Sequence, residues 1–160
     1  QKGLSNLIET LEPNGFLKLG LYSKYARKEI LKARELIKEN DLQPNLEDIR
    51  NFRHDILNGE ITQLNQITNW SDFYSTSMCR DLCFHSQEKC YSLIEIQNMI
   101  ETANLEFLGF TLSKGVKDKY LRNNNQIDSL TDLKLWDKFE KIHPNSFREM
   151  YQFWTRKSIK

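Results

Sequence analysis

Three short apolar and aromatic runs, Phe16 to Tyr22 (FLKLGLY), Leu105 to Leu112 (LEFLGFTL) and Met150 to Lys157 (MYQFWTRK), lie far apart in the chain. Most of what separates the first two, residues 23–104, is patterned as helix. Apolar runs of this length bounded by turn residues read as strands. The chain is therefore expected to be a mixed α/β or α+β domain with a large helical segment between strands. In the second run Leu105, Phe107 and Gly109 alternate with Leu108, Phe110 and Leu112, so both faces of that strand are expected to be covered.

Local signals place the helices. Leu4, Leu7, Ile8 and Leu11 form one stripe at helical spacing, and Pro13-Asn14-Gly15 ends it, because proline breaks the hydrogen-bond ladder and glycine turns the chain. Ser23 is a suitable cap for a helix to Asn40, with Ala26, Ile30, Ala33 and Ile37 on one face and Lys24, Lys28 and Lys32 on the other. Asn45 caps a third helix through Leu46, Ile49, Phe52 or Arg53, and Ile56, and Asn58-Gly59 stops it. Residues 60–70 read as a loop or short helical turn.

Ser75 or Ser77 starts a helix to about Gln87, with Cys79, Leu82, Cys83 and Ser86 on one face and Asp81, His85 and Glu88 on the other. Ser92 and Glu95 make a capping box ahead of Leu93, Ile96, Ile100 and Ala103. Lys114 to Asn125 reads as a polar loop. Thr131 caps a helix bearing Leu133, Trp136 and Phe139, and Pro144 ends it.

The length, 160 residues, suits one domain, and the near-cancelling charge of +1 argues against a polyacidic partner. No run approaches the ~18 apolar residues of a membrane span, and the first residues lack the pattern of a signal peptide, so no membrane partner and a cytoplasmic setting are expected. Cys79, Cys83 and Cys90 are an odd number crowded together, which suits reduced thiols. The chain starts at Gln1, with a helical stripe at once and no room for a cap, so a fragment of a longer polypeptide is expected.

Asp81, His85 and Glu88, spaced i, i+4, i+7, put two carboxylates and an imidazole on one helix face, within reach of one metal ion. One helix rarely completes a metal shell and no second ligand cluster exists, so no metal is expected. Cys79 and Cys83 sit on the apolar face, away from His85, and read as packed thiols. The basic helix is diluted by Glu29, Glu35 and Glu39, so nucleic acid is not an expected partner. No glycine-rich dinucleotide loop, P-loop or nucleophile elbow occurs.

Four stretches carry a resemblance. They are Leu-Glu-Pro-Asn-Gly-Phe-Leu-Lys-Leu-Gly-Leu-Tyr-Ser (11–23) with Ala26-Arg27, Phe-Tyr-Ser-Thr-Ser-Met-Cys-Arg-Asp-Leu (73–82) with Phe84-His85 and Glu88, Leu-Glu-Phe-Leu-Gly-Phe (105–110) and Met-Tyr-Gln-Phe-Trp (150–154). In this order they resemble the C-terminal portion of bacterial class I S-adenosylmethionine-dependent methyltransferases, in particular a group whose members often carry tetratricopeptide repeats ahead of the methyltransferase domain.

The resemblance implies the C-terminal part of a Rossmann-like α/β fold. Phe16 to Tyr22 would be its fifth strand, Leu105 to Leu112 its sixth, and Met150 to Lys157 an antiparallel seventh inserted between them. This makes a small mixed three-stranded sheet, with 1–22 supplying helix and strand, 23–104 a mostly helical insertion, and 105–160 strand, helix and closing strand.

The same resemblance implies transfer of a methyl group to an acceptor whose identity and atom type it leaves open. The cofactor would be S-adenosylmethionine, but the glycine-rich loop and acidic residue that hold it in the family are missing here. No cofactor-binding residue is therefore assigned, and this chain alone is expected to be inactive. The cofactor-binding region, and possible tetratricopeptide repeats, would lie upstream in the same polypeptide. Substrate-side candidates are Tyr22, Ser23, Arg27, Arg80, Asp81, His85 and Glu88; no general base is assigned. The alternative is a self-standing helical module that binds protein or RNA. Truncation would also leave the inner edge of the Phe16 strand unpaired and prone to self-association.

Overall fold

The computed structural model describes residues 2–85, 87–124 and 127–158, so Gln1, Ser86 and Asn125, each part of a pattern above, lie outside the described residues. The strands are β1 (Phe16–Ser23), β2 (Cys90–Tyr91), β3 (Leu105–Phe110) and β4 (Tyr151–Lys157). They form one sheet in the order β2-β1-β4-β3. β4 runs antiparallel to both β1 and β3, with Leu19 opposite Phe153 and Phe107 opposite Thr155. The closing strand thus lies between the two others, the order the resemblance implies.

The sheet has four strands rather than three. β2 is parallel to β1 and pairs only Tyr22 with Cys90 and Ser23 with Tyr91, and the Lys24 amide extends the ladder to the Tyr91 carbonyl at 2.9 Å. Two residues carry no alternation, so their pattern cannot announce a strand. Along Phe16–Leu21 the edge of β1 away from β4, the inner edge named above, has no paired strand among the described residues.

β3 ends at Phe110, short of Leu112, and the face assignment within it changes. Opposite β4, Phe107 pairs with Thr155 and Gly109 with Trp154, so Leu108 is bulged out. Gly109 takes φ 127°, a region that side chains disfavour. One extra residue returns Phe110 to the side of Phe107. Their rings lie 5.0 Å apart and both meet Phe153, at 5.8 Å from Phe107 and 6.0 Å from Phe110.

The length suits one domain, but the chain forms two compact units, residues 1–26 with 89–160, and 27–88. In the first, α1 (Lys2–Glu9) precedes β1, and α5 (Leu93–Thr102), α6 (Lys114–Asn123) and α7 (Leu133–Ile142) join the sheet. Ile96, Ile100, Trp136, Phe139, Tyr151 and Phe153 form its core. Burial of each such side chain contributes about 1.5–3 kcal/mol before entropy. The capping box forms as the sequence indicates, Ser92 Oγ accepting from the Glu95 amide and Glu95 Oε2 accepting from the Ser92 amide.

The polar stretch after β3 is a helix, not a loop. Tyr120 stacks on Trp136 at 3.5 Å and donates its hydroxyl to the Ser129 carbonyl at 2.7 Å, so one buried aromatic anchors an otherwise polar segment. Asp132, not Thr131, caps α7, accepting from the amides of Lys134 and Leu135.

The second unit holds α2 (Lys28–Glu39), α3 (Leu46–Leu57), a 3₁₀ segment over Thr62–Asn69, and α4 (Thr76–Cys83). α2 starts at Lys28, because Ser23 closes β1 and the following residues turn. α4 stops at Cys83, short of Gln87. Asn45 caps α3 as its type predicts, and Phe52 rather than Arg53 is the buried residue. The helical unit is narrower than 23–104, since 89–104 supply β2 and α5 to the sheet unit. Among the described residues no helix is long and apolar enough to cross a membrane.

Candidate functional site

Ser23 is the last residue of β1, at the carboxyl end of the strand, where open α/β sheets place their ligands. Its Oγ accepts from the amides of Tyr25 at 3.1 Å and Ala26 at 3.0 Å, which fixes the turn that leaves the sheet. The same hydroxyl donates to Glu140 Oε1 at 2.5 Å, and the Tyr151 hydroxyl donates to Oε2 at 2.6 Å. Glu140 lies on α7 with no exposed surface, and Tyr151 opens β4. End of β1, start of β4 and α7 therefore meet on one carboxylate.

Burial pushes the Glu140 carboxyl up to about 7, against the lowering effect of the two hydroxyl donors, and the Asp137 charge adds to the rise. The Tyr151 hydroxyl is pushed up by burial and then by the charge of Glu140. One turn earlier, Asp137 is also buried, with Oδ2 on Lys141 Nζ at 2.8 Å and Oδ1 without a hydrogen-bond partner among the described residues. That contact, together with a hydrogen bond to Tyr25, raises the Lys141 ammonium.

The sequence candidates separate into groups. Ser23 sits in this cluster, but its hydroxyl is consumed by internal bonds and it is buried, so its role here is to hold the strand end. Tyr22 is half-buried beside Cys90 in the β1–β2 register.

Within the helical unit Arg27 and Glu88 do come together. Arg27 Nη1 donates to both carboxylate oxygens at 2.9 and 3.0 Å, Arg34 Nη1 lies 3.2 Å from Oε1, and the Arg27 guanidinium lies over the Trp70 ring. This is a mostly buried ion cluster that braces the unit. Arg80 and Asp81 are exposed on α4, and His85 is exposed beyond its end. The shared helix face of Asp81, His85 and Glu88 does not form, because α4 ends at Cys83 and Glu88 turns to the arginines. Among the described residues no group of His, Cys, Asp and Glu is arranged to hold a metal.

Cys79 and Cys83 are free, buried thiols one helical turn apart. Hydrogen bonding from Cys83 holds the Cys79 thiol low, whereas the Cys83 thiol is pushed up by that same bond and by burial.

Sequence reasoning missed Glu140, Tyr151 and Asp137. A signal was present, since Asp137 and Glu140 lie at i+4 and i+7 from Leu133, on the stripe that carries Trp136. A charge at a core position is a request for a buried partner. Against known families and curated proteins, the chain finds no match.

Proposed function

We propose that this chain is the C-terminal, substrate-side part of an S-adenosylmethionine-dependent methyltransferase. The observation that carries the reading is the strand order β1-β4-β3, with an antiparallel strand inserted between two parallel ones. That arrangement agrees with the one the sequence resemblance implies, and widely separated strands reach it by few routes.

The residues present do not fit the methyl donor. A nucleotide-like cofactor needs a glycine loop after a strand, so that backbone amides approach it closely. Here β1 runs into the Ser23 turn, Gly20 lies within the strand with Met150 Sδ against it, and Gly109 serves the bulge. The donor would be held by residues outside this chain. What these residues do is position: Ser23, Glu140 and Tyr151 fix the end of β1, and hence where Tyr22 and Tyr25 stand. Tyr22, at the end of β1, is the sheet unit's candidate for contact with the acceptor; Arg80, Asp81 and His85 are exposed on the helical unit.

The test is expression of the whole reading frame that contains this chain, with tritiated S-adenosylmethionine and an extract from cells lacking the gene. Label transferred by the long product, with no calorimetric heat of S-adenosylmethionine binding to residues 1–160 alone, supports the reading. A start codon directly before Gln1, or micromolar binding by this chain alone, overturns it. The helical unit would then be read as a partner-binding module.

A further inference from the structure

The helices of the sheet unit pack on one face of its sheet. Ile8 of α1, Ile96 of α5, Tyr120 of α6 and Trp136 of α7 share a core with Leu19, Leu21, Phe107 and Phe153. Side chains alternate along a strand, so Phe16 and Lys18 of β1 and Trp154 and Arg156 of β4 stand on the opposite face. None of these four belongs to a core cluster among the described residues.

β1 and β4 are the two central strands, and the register sets two rows across them. Lys18 lies opposite Trp154, and Phe16 lies opposite Arg156. Each row thus puts one aromatic ring beside one cation, and the rings stand diagonal to each other, 60% exposed at Phe16 and 43% at Trp154. On β3, Gly109 continues the row of Trp154, and a Cβ there would meet nothing within 4 Å, so the ring has open space beside it. Glu106 continues the other row, accepting from Arg156 Nε at 3.0 Å and Nη2 at 2.6 Å, which fixes the guanidinium beside Phe16. Lys18 has no ion pair among the described residues, and its Nζ lies 5.9 Å from the centre of the Trp154 ring on a flexible stem.

Exposed rings alone would suit any apolar partner, but a cation beside each ring suits flat bases joined by phosphates. The ring stacks the base, and the cation meets the charge that comes with it. Paired bases are closed to such stacking, so the partner is a single strand. We infer that this face binds single-stranded nucleic acid, with one base on Trp154, the next on Phe16, and the phosphates against Lys18 and Arg156. The surface is not the basic helix α2, whose charge its glutamates dilute. It is independent of the methyltransferase reading, because none of its residues belongs to the Ser23–Glu140–Tyr151 cluster.

The experiment is fluorescence anisotropy of a short labelled oligouridylate, titrated at several salt concentrations with residues 1–160 and with the whole reading frame that contains them. Saturable binding is expected from both, weakening with salt at a logarithmic slope of about −1.4, the value for two phosphates on a single strand. W154A is expected to lose about tenfold in affinity, and W154F, which keeps a ring, to lose little. K18Q is expected to bring the slope to about −0.7, and it serves with W154F if W154A does not fold. Full affinity in W154A, an unchanged slope in K18Q, or equal binding of the same strand paired with oligoadenylate would overturn the inference. So would displacement of the probe by polyglutamate as readily as by unlabelled strand, or binding by residues 1–160 that the whole reading frame lacks. Methyl transfer is read from the tritium label, so failure of either reading is seen without the other.

Discussion

Ser23 and Glu140 stand 117 positions apart in the chain and share a hydrogen bond of 2.5 Å. Through it the end of β1 is tied to α7, and the Tyr151 hydroxyl on the other carboxylate oxygen ties in β4. The bond is made in the interior, where a carboxylate without donors would be costly, so the three groups hold together as a unit.

The pH dependence of stability follows from Glu140. Its folded carboxyl titrates near 7, above the ordinary value of 4.5, so between these limits the folded state holds a proton that the unfolded state has lost. Stability therefore falls as pH rises from 4.5 to 7 and is flat above, with a total loss of at most about 3 kcal/mol. Urea unfolding at pH 5 and pH 8 should show this loss in the wild-type chain and a much smaller one in E140Q, which carries no titrating group there.

Y151F removes one of the two donors to Glu140. The buried Oε2 loses its hydrogen bond, at a cost of about 1–3 kcal/mol, and the charged form loses more than the neutral one. The destabilisation should accordingly be larger at pH 8 than at pH 5 when both are measured by denaturant unfolding. Equal loss at both would mean that the hydroxyl acts on packing alone.

Glu88 is shared by Arg27 and Arg34 in surroundings that leave its side chain 12% exposed. E88A should destabilise the helical unit by about 3 kcal/mol, because two guanidinium groups lose the carboxylate they share. Hydrogen exchange of the α2 and α4 amides reports it locally, and R34A should cost less, since Arg27 keeps its contact with Glu88.

At the start of α5, S92A should cost about 1 kcal/mol by removing the cap that accepts the Glu95 amide, with thermal unfolding as the readout. The Lys24 ammonium and the Ser92 amide hold the Glu95 carboxyl at about 2, below its ordinary 4.5. That contribution is present above pH 4.5 and is lost as pH falls toward 2. In K24M the Glu95 side chain, followed by carbon-detected NMR, should titrate closer to its ordinary value.

The amino-acid sequence by itself determined the features that a few neighbouring residues decide. The Ser92–Glu95 box, the Asn45 cap, the Asn58-Gly59 stop and the turn at Pro13-Asn14-Gly15 depend on local hydrogen bonds and allowed dihedrals, and each stands where its residues indicate. The strand order was reachable through motif resemblance, and periodicity alone is silent on it.

Tertiary structure decided the rest. Cys90–Tyr91 becomes a strand only because β1 offers an edge, and Leu108 bulges only against the register of β4. The stretch after Ser113 becomes a helix because Tyr120 finds Trp136. Glu140 becomes the centre of the candidate site because Ser23 and Tyr151 arrive from distant parts of the chain. A side chain's neighbours across the fold set its burial and its proton affinity, and no window of adjacent residues contains them.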